Sequence, residues 1–432
     1  MKYLISGAQI GAGERTDILI ADGIIQEMGS GLSSPDATRV DADGLIALPG
    51  LVDLHTHLRQ PGYEDSETVL SGSQAAARGG YTCVHAMANT FPVADTAGVV
   101  DEVLHLGRRA GLVEVRPVGA VTVGLAGERL AELGAMATSE AAVRVFSDDG
   151  KCVHDPLIMR RALEYVRSFD GVIAQHAQEP RLTEGAQANE GEVASELGLT
   201  GWPSVAEEAI IARDVLLAQH VGGRVHICHL STAGAVDIVR WAKKRGIAVT
   251  AEATPHHLYF TDERVRSYDA QFKVNPPLRT QEDVEAVRLG VADGTIDIIA
   301  TDHAPHPAEA KDCEWSAAAF GMLGLESALS VVQETLVETG MLDWDDVARV
   351  MSTAPARIGR VTGQGILPAV GAPAHITLLD PAARVPFTTD RISSKSTNSP
   401  YLGETLPGQV RWTFFGGRAT VIDGELVEEA RA

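Results

Sequence analysis

The chain has 432 residues, 45% of them hydrophobic and 22% charged, and carries a formal net charge of −22. That composition is globular, with no basic stripe for a nucleic acid or an anionic membrane, so neither is expected as a partner. No stretch approaches the roughly 20 apolar residues of a membrane span. The N-terminus shows no signal-type segment, and the four cysteines (Cys83, Cys152, Cys228, Cys313) form no C-x-x-C pair, so a reduced, cytoplasmic chain is expected.

In chain order, residues 1–50 read as short β pieces (3–5, 17–20, 24–28) punctuated by Gly and Asp. Eight apolar runs follow, at 51–57, 82–89, 113–121, 142–149, 171–178, 224–231, 247–257 and 296–303. They are rich in Val and Ile, do not alternate strictly and mostly end in polar residues, as buried parallel strands do; 247–257 is the least apolar. Between them lie segments of helical spacing, at 156–169, 205–221, 233–244 and 281–291, and Gly222, Gly246 and Gly294 suit helix C-caps. This alternation predicts an α/β fold, a (β/α)8 TIM-type barrel over residues 51–362. Residues 363–432 return to β pieces (376–379, 410–415, 419–421), and both ends are too small to hold a core alone. They are expected to pair into one small β-sandwich, 1–50 with 363–432.

In such a barrel, chemistry sits at the C-terminal strand ends, where the polar residues of this chain cluster. His55 and His57 are two apart on the first strand, so both aim at one point. Asp149 ends the fourth run, His176 the fifth, His229 the sixth and Asp302 the eighth. A lone His is more often a satisfied core residue. Four His and two Asp at one mouth make a divalent-metal donor set, zinc first, and six donors suit two metals rather than one tetrahedral ion. Asp148 competes with Asp149, because strand alternation lets only one of the two face the metals.

The segments LPGLVDLHTHLRQPGYED (48–65), FSDDG (146–150), CHLST (228–232), VNPPLR (274–279), ATDHAPH (300–306) and FGMLGLE (320–326) together resemble the type I bacterial dihydroorotases of the amidohydrolase superfamily. The resemblance spans nearly the whole chain, including ADGIIQEMG (21–29) and GAPAHITLLD (371–380) at the two ends. It implies two Zn2+ per subunit: His55, His57 and Asp302 on one, His176 and His229 on the other, Asp149 between them. Many relatives bridge with a modified lysine on the fourth strand, and Lys151 is the minor alternative here.

The implied reaction is the reversible hydrolysis of (S)-dihydroorotate to N-carbamoyl-L-aspartate in pyrimidine biosynthesis, by a metal-bridged hydroxide with Asp302 as proton shuttle. Arg59, Asn89 and His306 would hold the substrate carboxylate, Asn275 with the backbone at Phe320 and Gly321 would meet the ring, and His57 stands in both sets. The Ala-rich stretch 307–320 is expected as a mobile lid. Ala88, Ser66 and His375 depart from the family pattern, and Ala88 is expected to loosen the loop carrying Asn89. A homodimer and association with aspartate transcarbamoylase are family-based expectations. The rival readings are a dihydropyrimidinase or allantoinase, a non-catalytic homologue partnering aspartate transcarbamoylase, and a barrel binding module with structural histidines.

Overall fold

The computed structural model describes residues 1–427; the last five residues of the expected C-terminal segment, 428–432, lie outside the described residues. The two chain ends meet in one nine-stranded sheet. The strand Ile46–Pro49 joins them: it pairs in parallel with Lys2–Ile10 and antiparallel with Ile376–Pro386, which continues into Thr405–Phe415 and Arg418–Ile422. The expected sandwich is therefore hydrogen-bonded as one continuous sheet. Its halves still share an apolar cluster, in which Ile5, Ile18 and Ile20 from one end meet Ile376, Leu378 and Phe414 from the other. Thr38–Asp41 and Ile46–Pro49 are strands that residue patterning did not single out.

Eight parallel strands follow in sequence order. Leu51–Thr56, Tyr81–Ala86 and Glu114–Pro117 form one sheet; Val145–Phe146, Val172–Gln175, Val225–Ile227, Val249–Ala253 and Ile298–Ile299 form another. Single parallel bridges link the sheets at both edges, Gly119 to Phe146 and Thr56 to His303. Most of these strand residues are buried, which explains why the runs do not alternate. The helices Val205–Val221 and Ala233–Lys244 match their predicted bounds; 156–169 divides into an α-helix, Pro156–Val166, and a 3-10 turn, Arg167–Phe169. Gly222 closes its helix in the left-handed region (φ 67°), where a side chain would be strained. Among the described residues no helix is long and apolar enough to cross a membrane.

The junction of the first and eighth strands depends on Asp53, which is fully buried. Its carboxylate accepts the Thr301 amide (3.0 Å) and the hydroxyls of Thr56 and Thr301, while the His57 amide donates to His303 O (2.8 Å). Burial pushes the Asp53 carboxyl up, and the Thr301 and Thr56 donors offset part of that. Removing the carboxylate takes the acceptor from two amides, His55 and Thr301, and two hydroxyls, all away from water. Asp53→Ala is expected to cost about 2–4 kcal/mol, read from the denaturant midpoint and slope; a cost below about 0.5 kcal/mol, the range of an ordinary surface change, would show that the junction holds without it.

Candidate active site

The mouth of the eight strands gathers all six predicted metal-ligand candidates. His55, His57, Asp149 and Asp302 form one potential donor group and Asp149, His176 and His229 a second, all buried, so Asp149 belongs to both. Asp149 Oδ1 lies 3.4 Å from His55 Nε2, 3.2 Å from His176 Nδ1 and 3.3 Å from His229 Nε2; its Oδ2 lies 3.3 Å from His57 Nε2. Asp302 Oδ1 is 3.0 Å from His57 Nε2 and 3.3 Å from His55 Nε2. The i, i+2 spacing puts His55 and His57 on the same side, as expected.

Three of the imidazoles are turned by hydrogen bonds at their far nitrogens. His55 Nδ1 donates to Glu252 (2.6 Å), His57 Nδ1 to Asn89 Oδ1 (2.9 Å) and His176 Nε2 to Gln178 Oε1 (2.7 Å). Each bond points the opposite nitrogen at the carboxylates, where it can exchange a proton for a cation. His55 Nε2 is buried with no hydrogen-bond partner, and His176 Nδ1 and His229 Nε2 face each other at 2.8 Å. An orphaned ring nitrogen, two opposed ring nitrogens and a shared carboxylate together fit divalent cations.

The electrostatics match that geometry. Burial alone would raise the Asp302 carboxyl, but His55 and His57 bring it down to about 2. Asp149 is likewise held well below the carboxylate range, burial being outweighed by His55, His176 and His229. Burial opposes charge on His55, yet Asp149, Glu252 and Asp302 hold its pKa well above the usual imidazole value.

Asp148 and Asp149 touch different neighbours. Asp148 Oδ1 accepts the amides of Val121 (2.8 Å) and Thr122 (3.0 Å), so it ties down the loop after the third strand. Lys151, the minor alternative, is exposed. Gly150, with φ 78°, turns the chain just after the two acids.

The predicted substrate residues border this cluster. Arg59 donates to Pro305 O (3.2 Å), and its Nη2 lies 3.5 Å from His306 Nε2. His306 Nε2 donates to Phe320 O (2.8 Å); burial and the neighbouring Arg59 lower its pKa to about 3, so it is neutral at pH 7. Asn89 is positioned by its bond to His57, despite Ala88 before it. Asn275 donates to Gln178 Oε1 (3.1 Å) and keeps a buried, unpartnered Oδ1. The Gly321 amide is already given to Lys273 O (2.9 Å) and its carbonyl accepts from Asn398 (3.3 Å).

The stretch expected as a mobile lid is tied down by two buried lysines. Lys311 Nζ donates to the carbonyls of Ala270, Lys273 and Ala319 at 2.8–3.1 Å, and Lys273 Nζ donates back to Trp315 O (2.6 Å).

Residue patterning missed Glu252, Gln178 and Asn398. Glu252 had a signal: it is an acid inside the least apolar strand run. Its carboxylate holds His55, His226 Nε2 (2.9 Å) and the His229 amide (3.2 Å). His229 (φ 31°), Asp302 (φ 47°) and Arg59 (φ 61°) all adopt left-handed backbone conformations that strand patterns do not foretell.

The chain is similar to known dihydroorotases over nearly its whole length. A family profile described as "Dihydro-orotase-like" matches residues 44–235. Over 426 residues the chain is 69% identical to a dihydroorotase of Leifsonia xyli subsp. xyli, covering 99% of this chain and 97% of that protein. It is 55% identical over 428 residues to a dihydroorotase of Mycobacterium tuberculosis, covering 99% and 100%. Among solved structures, the L-hydantoinase (dihydropyrimidinase) from Arthrobacter aurescens superposes with a TM-score of 0.86 at 24% identity, covering 98% of this chain and 97% of that one. A dihydropyrimidinase from Brevibacillus agri gives 0.84 at 20% identity, covering 100% and 97%. At those identities the structural matches speak for the fold.

With its pKa held well above the usual imidazole value, His55 favours a proton at neutral pH. A cation must displace that proton, so its apparent affinity rises with pH, by up to about tenfold per unit for each proton released. Zinc titrations at pH 6, 7 and 8, with proton release read in buffers of different ionisation enthalpy, are expected to show this. Affinity flat across that range would mean that the cluster is not the binding site.

Proposed function

The chain belongs to the dihydroorotase family, and from that premise we propose that its strand-end mouth, loaded with two zinc ions, interconverts dihydroorotate and N-carbamoyl-L-aspartate. The observation that carries the reading is Asp149, placed within 3.4 Å of imidazoles from both donor groups, beside a pocket wall that holds a guanidinium. We read residues 51–362 as one closed (β/α)8 barrel and 1–50 with 363–432 as its companion β unit.

His55, His57 and Asp302 would hold one cation and His176 and His229 the other, with Asp149 between them. When bound, the cations supply an ionised water at neutral pH and polarise the carbonyl under attack. The remaining work falls to the chain. Asp302, held near a pKa of 2, is unprotonated at pH 7 and free to accept a proton. As the ring C–N bond breaks, it hands that proton to the departing nitrogen. Arg59 supplies a planar fork for the substrate carboxylate, a local cation in a chain of net charge −22. Asn275, with its unpaired buried oxygen, offers an acceptor for a ring N–H.

Arg59 and the carboxylate at Asp149 favour this reading over a dihydropyrimidinase or an allantoinase, whose substrates lack the carboxylate. Convergence of all six candidates on one mouth disfavours a non-catalytic role.

The test is direct. The metal-loaded protein is expected to turn over dihydroorotate and to leave dihydrouracil and allantoin essentially untouched in the same assay. Asp302→Asn is expected to lose about 100-fold or more in kcat while keeping bound metal. Preference for dihydrouracil or allantoin would overturn the substrate assignment, and near-normal turnover by Asp302→Asn would remove the proton-transfer role.

A further inference from the structure

The wall beside Arg59 is braced by a segment from the far end of the chain, residues 394–398. The Ser394 hydroxyl and the Lys395 amide (3.1 Å) bond the buried Glu67 carboxylate, and Ser396 Oγ donates to Ser66 O (2.6 Å). These bonds hold Asn398, only 3% exposed, against the loop after the eighth strand. Its Oδ1 accepts the His306 amide (3.0 Å), and its Nδ2 donates to Ala304 O (3.0 Å) and Gly321 O (3.3 Å). One carboxamide thus joins the loop after the eighth strand to the Phe320–Gly321 turn. The same two pieces meet again where His306 Nε2 donates to Phe320 O, 3.5 Å from the Arg59 guanidinium. The fit is close: a Cβ on Gly321 would fall 2.9 Å from His306 Nε2.

We propose that Asn398 is a positioning residue for substrate specificity, fixing His306 and Gly321 at one spacing from Arg59 so that the wall accepts a ring bearing a carboxylate. The inference rests on the dihydroorotase reading of the site. The Asn398 side chain bonds the backbone of His306, Ala304 and Gly321, so its effect falls on substrate recognition. Only a carboxamide of this length serves both sides at once. An aspartate keeps the acceptor for the His306 amide but points its charge at two carbonyls, and a serine offers one donor at most.

The experiment uses Asn398→Asp and Asn398→Ser in the full-length, metal-loaded protein. It reads kcat and KM for dihydroorotate, metal content, and Ki for dihydrouracil, the same ring without the carboxylate, as a competitive inhibitor. KM is expected to rise about tenfold in both variants, the consequence of leaving buried carbonyls without donors, while kcat falls less than about threefold. The Ki for dihydrouracil is expected to stay within about twofold of the parent value, and metal content to stay full.

Unchanged KM overturns the proposal, and so does a parallel loss of dihydrouracil binding, which marks a structural role only. Failure of both variants to fold also overturns it, because the bonds would then serve the fold and not the wall. A parent protein that does not turn over dihydroorotate at all removes the functional reading itself, an outcome distinct from each of these.

Discussion

The site depends on a single arrangement: one buried carboxylate, Asp149, faced by imidazoles on two sides. Taking a carboxylate and several imidazoles out of water is expensive, and attraction repays the cost only when every lone pair finds a proton or a cation. The described residues leave that account open, since His55 Nε2 has no partner and the ring nitrogens of His176 and His229 face each other. Two cations would close it, each drawing on Asp149.

The surrounding fold serves that arrangement. Asp53 locks the first strand to the eighth and so sets His55 and His57 against Asp302. Glu252 holds His55 from behind and caps the strained backbone at His229. Left-handed conformations at His229, Asp302 and Arg59 turn the chain sharply just past the strand ends, and neighbouring hydrogen bonds hold it there. The nine-stranded sheet is coupled to the mouth as well, because the segment leading into its C-terminal strands supplies Asn398.

Much of this was legible in the residues. The period-two spacing of His55 and His57 gave their common direction, and the apolar runs placed all eight strands. What escaped has physical reasons. Alternation along a strand cannot separate Asp148 from Asp149, because the strand ends at Phe146, before both acids. The loop after the eighth strand looked mobile from its Ala content; what ties it by hydrogen bonds is Lys273, some 40 residues upstream, together with Lys311 inside it. Asn398 lies 92 residues from His306, and no local pattern announces a contact of that range.

The most direct measurement is anomalous diffraction at the zinc edge from crystals of the metal-loaded protein. The account predicts two peaks in the strand-end mouth, one among His55, His57 and Asp302 and one beside His176 and His229, with the Asp149 carboxylate between them. A single peak elsewhere in the molecule, or two peaks with Asp149 bound to neither, would contradict it.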